Sequence, residues 1–287
     1  MGGVEVVTTA AALRTALDVV RHDGGTVGLV PTMGYLHDGH VSLMDAAVAD
    51  NDVTATTIFV NPLQFAPTED LAAYPRDLAG DTARCEAAGV GVLFTPSVEE
   101  MYPVPMQTTV SVAGITETME GASRPSHFAG VATVVAKLFA LAGPCRAYFG
   151  EKDFQQLAVV RTMARDLSFP VEVVGCPTVR EPDGLAMSSR NAYLTPEERA
   201  AAPVLHRALQ AGADAVRAGE RDPAVVRGLL AGMVDAEPLA ELDYAAVVDA
   251  ATLEVVDPLV GEVRLLTAAR FGRARLLDNV GVTTPTG

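Results

Sequence analysis

A chain of 287 residues, 49% hydrophobic and 20% charged, has length for one large core or two ordinary ones and is too apolar to stay disordered. Its formal net charge of −15 excludes a broad nucleic-acid surface, because phosphate backbones are held by clustered Lys and Arg. An anionic ligand has to be met by a few locally placed cations and backbone donors.

The opening stretch MGGVEVVTTAAALRTALDVV lacks the basic start and unbroken apolar core of a secretion signal. Val6 also stands where a myristoylation motif needs Ser or Thr. The β-branched run TVGLV (26–30) reads as a strand and passes through PTMGYLHDGH into a helix from about His40 to Asp50. VTATTIFV (53–60) predicts the next strand, followed by the loop NPLQFAPTED. A helix over about 77–88 then leads to the strand VGVLFTP (90–96). A helix around 131–141 feeds the short strand RAYFG (146–150), GEKD opens a helix to about Leu167, and VEVVG (171–175) closes the series.

Strands alternating with helices predict a parallel sheet covered on both faces. Such sheets bind ligands beyond the carboxyl ends of the strands, where strand order reverses. PTMGYLHDGH, NPLQF and GEKD each follow a strand, so one crevice is expected to gather them. The longest apolar stretch, VATVVAKLFALAG, is interrupted by Lys137 and too short to span a bilayer.

After Arg180 the texture changes. EPDGLAMSSRNAYLTPEER is a polar loop, and an Ala-rich helix is expected at LTPEE, with Thr195 as N-cap and Pro196 first in the helix. A further helix is expected near Asp222-Pro223, then strands at 243–250, 262–269 and 273–280. The expected architecture is α/β: a parallel sheet domain over 1–180 and a smaller C-terminal α+β domain over 181–287. Cys85, Cys145 and Cys176 are odd in number and far apart, which predicts reduced core thiols in a cytoplasmic protein.

The chemistry concentrates at His37 and His40, set with Gly34 and Gly39 where a strand hands over to a helix. A helix N-terminus favours phosphate, glycines let ligand and backbone approach, and two imidazoles can donate to phosphoryl oxygens. The plain alternative is that His37 caps a loop and His40 packs in the core. Lys152 near a helix start, and Ser188, Ser189 and Arg190 on a polar loop, supply cations and donors for a polyphosphate. Each alone reads equally as a solvated surface group. Gln64 and Gln156 are neutral amides able to orient a carboxylate without the ion pairing that would blunt its attack. Their bland reading is solubility or a backbone bond. Gln155 and Gln156 lie about 100° apart on a helix, so at most one of them faces the crevice easily.

PTMGYLHDGH, IFVNPLQF, AYPRD, RPSHFAGVATVV, YFGEKDFQQL, PTVREPDGLAMSSRNAYL and LLDN, in this order, resemble the pantothenate synthetase family. The correspondence runs from about Gly28 to Asn279 and is strongest before Leu194. HxGH alone would indicate only the wider nucleotidyltransferase superfamily. The resemblance implies a Rossmann-like ATP-binding domain, a C-terminal lid domain and a homodimer in the cytoplasm, without nucleic-acid or membrane partners. It implies condensation of pantoate with β-alanine at the expense of ATP, through a pantoyl adenylate, releasing AMP and pyrophosphate.

By the same resemblance ATP is bound by Met33, Gly34, Tyr35, Leu36, His37, Asp38, Gly39 and His40, by Gly150, Glu151, Lys152 and Asp153, and by Val179, Met187, Ser188, Ser189 and Arg190. His40, His37, Lys152 and Arg190 are the expected catalytic set. Gln64, Gln156 and Met33 match pantoate-binding positions, with Val131, Val134 and Val135 packing its gem-dimethyl group and Gln64 also facing β-alanine. ATP implies Mg²⁺, with Asp81 as the candidate protein contact. An enzyme that adenylylates a phosphate ester would share HxGH and the SSR-like loop, but has no need of two neutral glutamines and a valine-lined pocket. A nucleotide-sensing domain on the same frame would bind ATP without forming pantothenate.

Overall fold

A computed structural model describes residues 3–66, 71–72 and 74–285. Two compact units emerge. The first comprises Met1–Glu117, Arg124–Glu151 and Gln156–Pro177; the second comprises Thr118–Ser123, Lys152–Gln155 and Thr178–Gly287. The main change of unit falls close to residue 180, but two short excursions, one of them carrying Lys152, group with the C-terminal part.

The first unit contains β1 (Glu5–Val7), α1 (Ala10–His22), β2 (Val27–Thr32), α2 (Asp38–Asp50) and β3 (Val53–Ile58). It continues with α3 (Leu78–Ala87), β4 (Val92–Phe94) and α4 (Val98–Met101). After α5 (Glu120–Ser123), which belongs to the second unit, come α6 (His127–Ala142), β5 (Cys145–Gly150), α7 (Phe154–Asp166) and β6 (Val171–Cys176). The first two residues of α7 also fall in the second unit.

The six strands are parallel in the order β1-β4-β3-β2-β5-β6. From β2 the chain builds β3 and β4 on one side, then returns to build β5 and β6 on the other. Strand order therefore reverses between β2 and β5, and PTMGYLHDGH and GEKD continue from these two strands. The interior strands are apolar because both faces are covered: Val27, Leu29, Val30, Ala55, Ala147 and Tyr148 are buried.

Several elements differ from expectation for identifiable reasons. The sequence pattern predicts no element before residue 26, yet β1 pairs with β4 as the edge of the sheet. α1 follows, with Thr9 accepting from the Ala12 N–H as its cap and Leu13 and Leu17 buried. α6 begins at His127, ahead of the expected start near 131. GEKD forms a 3-10 turn over Glu151–Asp153 before α7 opens.

The second unit holds α8 (Pro196–Ala201), α9 (Val204–Arg217), α10 (Pro223–Asp235), β7 (Glu241–Asp249), β8 (Glu262–Phe271) and β9 (Ala274–Thr283). Thr195 is the expected N-cap of α8, with Pro196 at its first position, and Glu198 completes a reciprocal cap with it. The expected single Ala-rich helix is two, because Pro203 lacks the N–H that would continue α8. Asp222 caps α10 through the Ala224 N–H, with Pro223 at its start. β7, β8 and β9 form an antiparallel sheet in that order, and Gly272-Arg273 makes the tight connection between the last two strands. Leu209, Leu230, Val247, Leu265 and Val282 belong to one buried cluster of this unit.

Among the described residues no helix is long and apolar enough to cross a membrane. All three cysteines are free, with Cys85 and Cys176 buried. Burial pushes the Cys85 and Cys145 thiols up to about 12, with Asp81 adding to the effect at Cys85. Such thiols stay protonated and inert.

Candidate active site

In the first unit the HxGH segment begins where β2 ends. Gly34 and Tyr35 both take left-handed backbone conformations, at φ 87° and 53°. A Cβ on Gly34 would lie 2.9 Å from Ile58 and 3.0 Å from the Asp81 carboxylate, so this position demands glycine on conformation and on space. The turn is stapled from α3. The Tyr35 and Leu36 N–H groups donate to Oδ2 and Oδ1 of Asp81 at 2.8 and 2.7 Å, and Asp81 is only 3% exposed. Thr32 Oγ1 accepts from the Gly34 N–H at 3.1 Å.

The turn delivers His37 to the N-cap of α2 and His40 into its first turn. The His37 backbone N–H donates to Nδ1 of His40 at 3.3 Å, which assigns the His40 proton to Nε2. The two rings lie 4.1 Å apart between centroids. His40 is therefore oriented by a backbone group and presents an Nε2–H donor at a helix N-terminus, the arrangement that suits an anion.

Gln64 ends a 3-10 turn, Pro62–Gln64, that follows β3. Its side-chain Oε1 accepts from Asn61 at 3.1 Å and its Nε2 lies 2.9 Å from the Met33 sulfur, so Gln64 and Met33 are in contact. Asn61, buried at 1%, is the hub of this corner. It donates to the Gly130 carbonyl at 3.1 Å and accepts from the Tyr102 hydroxyl at 2.8 Å and the Leu63 N–H at 3.2 Å. Gly130 is equally constrained, because a Cβ there would overlap the Leu63 carbonyl. Arg124 donates to the Gln64 carbonyl at 3.3 Å, and His127 Nδ1 stands 3.0 Å from the same oxygen. Val131, Val134 and Val135, at i, i+3 and i+4 on α6, are 3–6% exposed and form a buried apolar stripe.

Sequence reasoning left Asn61, Gly130 and His127 without a task. A glycine inside an apolar helical run, and an Asn directly before Pro, were the signals that pointed to close packing and a cap. Gln155 and Gln156 separate as their spacing requires. Gln155 is 4% exposed and ties the Glu120 N–H and the Thr118 carbonyl at 3.0 and 2.9 Å, whereas Gln156 is half-buried.

A cavity of about 480 Å³ lies beyond the carboxyl ends of β1, β4, β3 and β2, with Met33, Gly34, Tyr35, Phe59, Arg76 and Asp81 in its wall. Asp81 was the expected contact for Mg²⁺. Both of its oxygens accept backbone N–H groups, and no cluster of three His, Cys, Asp or Glu able to hold a metal occurs among the described residues. These residues fit a staple for the glycine turn and do not fit a protein-held metal site.

Gly150, Glu151 and Gln156 belong to the first unit, whereas Lys152, Asp153, Val179 and Met187–Arg190 belong to the second. The Met187 N–H donates to the Val179 carbonyl at 3.0 Å, and Arg180 bridges to Ala186. Val179 and Met187 are therefore neighbours at the base of a closed loop. Ser188 Oγ accepts from the Arg190 N–H at 3.3 Å and caps the 3-10 turn Ser189–Tyr193. Lys152 and Ser188 line one small cavity together with Asn191 and Asp278. The Lys152 ammonium stands 3.6 Å from the Asp153 carboxylate, with its side chain 18% exposed. Ser189 and Arg190 are half-buried. Ammonium, hydroxyl and guanidinium are thus gathered in one unit, although residues 152 and 190 lie far apart in sequence.

Known proteins match this arrangement over nearly its full length. The family model described as pantoate-beta-alanine ligase matches residues 5–281. A pantothenate synthetase of Moorella thermoacetica is 53% identical over 277 residues, covering 96% of this chain and 98% of its own. One from Roseiflexus sp. is 54% identical over 276 residues, again 96% of this chain and 98% of its own. The crystal structure of pantothenate synthetase from Thermus thermophilus superposes with a TM-score of 0.92 at 52% identity, covering 97% of this chain and 99% of that one. The pantoate-beta-alanine ligase of Francisella tularensis, solved with beta-gamma ATP and beta-alanine, gives 0.80 at 30% identity, covering 97% of each chain. A six-stranded parallel sheet, a stapled HxGH turn and a match over nearly every residue leave one conclusion: the chain belongs to the pantoate–β-alanine ligase family.

Proposed function

We propose that the segments described above carry the ATP-dependent condensation of pantoate with β-alanine in two steps. A carboxylate does not condense with an amine at neutral pH until one of its oxygens becomes a leaving group. The pantoate carboxylate attacks the α-phosphorus of ATP, forming pantoyl adenylate and expelling pyrophosphate. The β-alanine amine then attacks the acyl carbon, AMP departs with the bonding electron pair, and the amine's proton passes to solvent. Neither step calls for a covalent protein nucleophile.

The observation that carries this reading is the bond from the His37 N–H to His40 Nδ1, which commits Nε2–H of His40 as a donor. We assign His40 and His37 to charge growing at the α-phosphate, and Lys152 and Arg190 to the pyrophosphate oxygens. Gly34 and its neighbours allow close approach of the phosphates, while Gly150–Asp153, Val179 and Met187–Arg190 complete the ATP set. Gln64 and Gln156 hold pantoate as neutral amides, β-alanine is met at Gln64, and Val131, Val134 and Val135 form the apolar wall. Mg²⁺ comes with the triphosphate, consistent with the engagement of both Asp81 oxygens. The homodimer and the cytoplasmic setting follow from the family resemblance, and light scattering of the purified protein tests the former.

His40→Ala is expected to lower pantoate-dependent exchange of pyrophosphate into ATP by about 10²–10³-fold. Near-natural exchange in that variant refutes the role of His40. Exchange that proceeds without pantoate points instead to an enzyme adenylylating some other acceptor.

A further inference from the structure

LLDN, near the end of the chain, has no task in the reaction described above, yet it is among the most deeply placed polar pairs in the protein. Asp278 is 3% exposed and Asn279 is 2% exposed, side by side in β9. Neighbours in a strand send their side chains to opposite faces. Here the two sides serve two different ligand-bearing segments.

On one side, Asn279 Nδ2 donates to the Lys152 carbonyl at 2.8 Å, while Oδ1 accepts from Arg264 Nε at 2.7 Å. Arg264 in turn lies over the Phe154 ring, 3.9 Å from its centroid, and so holds the same short segment at a second point. On the other side, Asp278 accepts both terminal nitrogens of Arg180, at 2.6 and 2.9 Å, and its Oδ1 also accepts the Asn279 N–H at 2.7 Å. Arg180 donates further to the Gly184 carbonyl at 3.0 Å, within the loop that leads to Ser188 and Arg190, and to the Asn279 carbonyl of β9 at 3.3 Å. A buried amide that uses both ends, beside a carboxylate held by a two-pronged guanidinium, is costly to place in a strand that aliphatic residues would fill.

We propose that Asn279 is a positioning residue for the reaction: it fixes the backbone of Lys152 against the post formed by β9, while Asp278 fixes the serine–arginine loop to the same post through Arg180. Lys152 reaches its target on a flexible four-carbon stem, so anchoring its main chain removes freedom that would otherwise dilute the charge at the phosphates. The inference rests on the proposed role of Lys152 at the pyrophosphate.

A double-mutant cycle tests it. Asn279→Asp keeps an acceptor for Arg264 and loses the donor to Lys152, and Asn279→Ser is a small uncharged second variant. Each is made in the natural chain and in Lys152→Ala, and kcat and KM for pantothenate formation are measured beside Tm. In the natural chain kcat is expected to fall about tenfold or more, with KM for pantoate unmoved. In the Lys152→Ala background the further loss is expected to be under about twofold, because the residue being positioned is already gone. Equal losses in both backgrounds, or an unchanged kcat in the natural chain, overturn the inference. Failure of both Asn279 variants to fold makes the residue part of the fold alone and overturns it too. Full turnover in Lys152→Ala by itself refutes the role of Lys152 and takes the inference with it.

Discussion

The two units hold their polar groups by different means. In the sheet unit, side chains serve backbone: Asp81 holds the Tyr35 and Leu36 N–H groups, Asn61 holds the Gly130 carbonyl, and Arg124 and His127 meet the Gln64 carbonyl. In the C-terminal unit, two half-buried arginines are held by carboxylates. Arg180 pairs with Asp278, and Arg275 pairs with both Glu120 and Asp243. The difference follows from the folds. A parallel sheet ends in loops whose main chain has lost its ladder partners, and each exposed N–H and C=O needs an acceptor or donor. An antiparallel sheet keeps its ladder, so its polar side chains are left to pair across strands and with the loops.

This contrast predicts which changes hurt, and where. Asp278→Ala leaves the Arg180 guanidinium, 20% exposed, without its carboxylate, and is expected to cost about 3–5 kcal/mol in chemical denaturation. A loss under about 1 kcal/mol would show that the pair is a bystander. Asp81→Asn keeps the volume but turns one acceptor into a donor facing an N–H, and is expected to cost about 1.5–3 kcal/mol. Its turnover should fall because the histidines hang on that turn; unchanged turnover would mean the turn holds itself.

Gly130→Ala forces the Leu63 carbonyl and the adjoining Gln64 to move, and about 1–3 kcal/mol of destabilisation is expected. KM for pantoate should rise in that variant, which steady-state kinetics would register. A neutral result would show that the corner yields easily.

The smallest effect concerns pH. Burial, and secondarily the Arg180 charge, push the His206 imidazole below its ordinary value of 6.5, with Asp278 opposing them. The unfolded chain therefore binds a proton that the folded one resists. The contribution to stability is whole above about 6.5 and is lost as pH falls below it. His206→Gln should flatten the fall of Tm between neutral pH and about pH 5.5. An identical slope in both proteins would remove His206 from the account.

Much of this molecule is legible in its sequence. Local pattern sufficed for β2, β3 and β6, whose β-branched runs are bounded by turns, for β5 through Tyr148 and Phe149, and for the Thr195 and Asp222 caps, whose signals are chemical and short in range. The histidines, Gln64 and the serine–arginine loop stand out in the sequence only as a set, because each alone reads equally as a solvated or capping group. β1 was not legible, since three residues at a sheet edge carry almost no periodicity and become a strand only through β4. The task of Asp81 in the glycine turn was not legible for a related reason: its backbone partners lie 45 and 46 residues away.

By itself, then, the sequence determined the alternation of strands and helices, the chemical groups on offer and, through its joined motifs, the family. Tertiary structure alone decided that Asp81 faces two amide hydrogens, that Gly130 clears a carbonyl, and that Asn279 grips the main chain of Lys152. The physical reason is range. Propensity and capping act over a few residues, whereas the acceptor that satisfies a buried donor can come from 45 or 127 positions away and is selected only when the core closes around it.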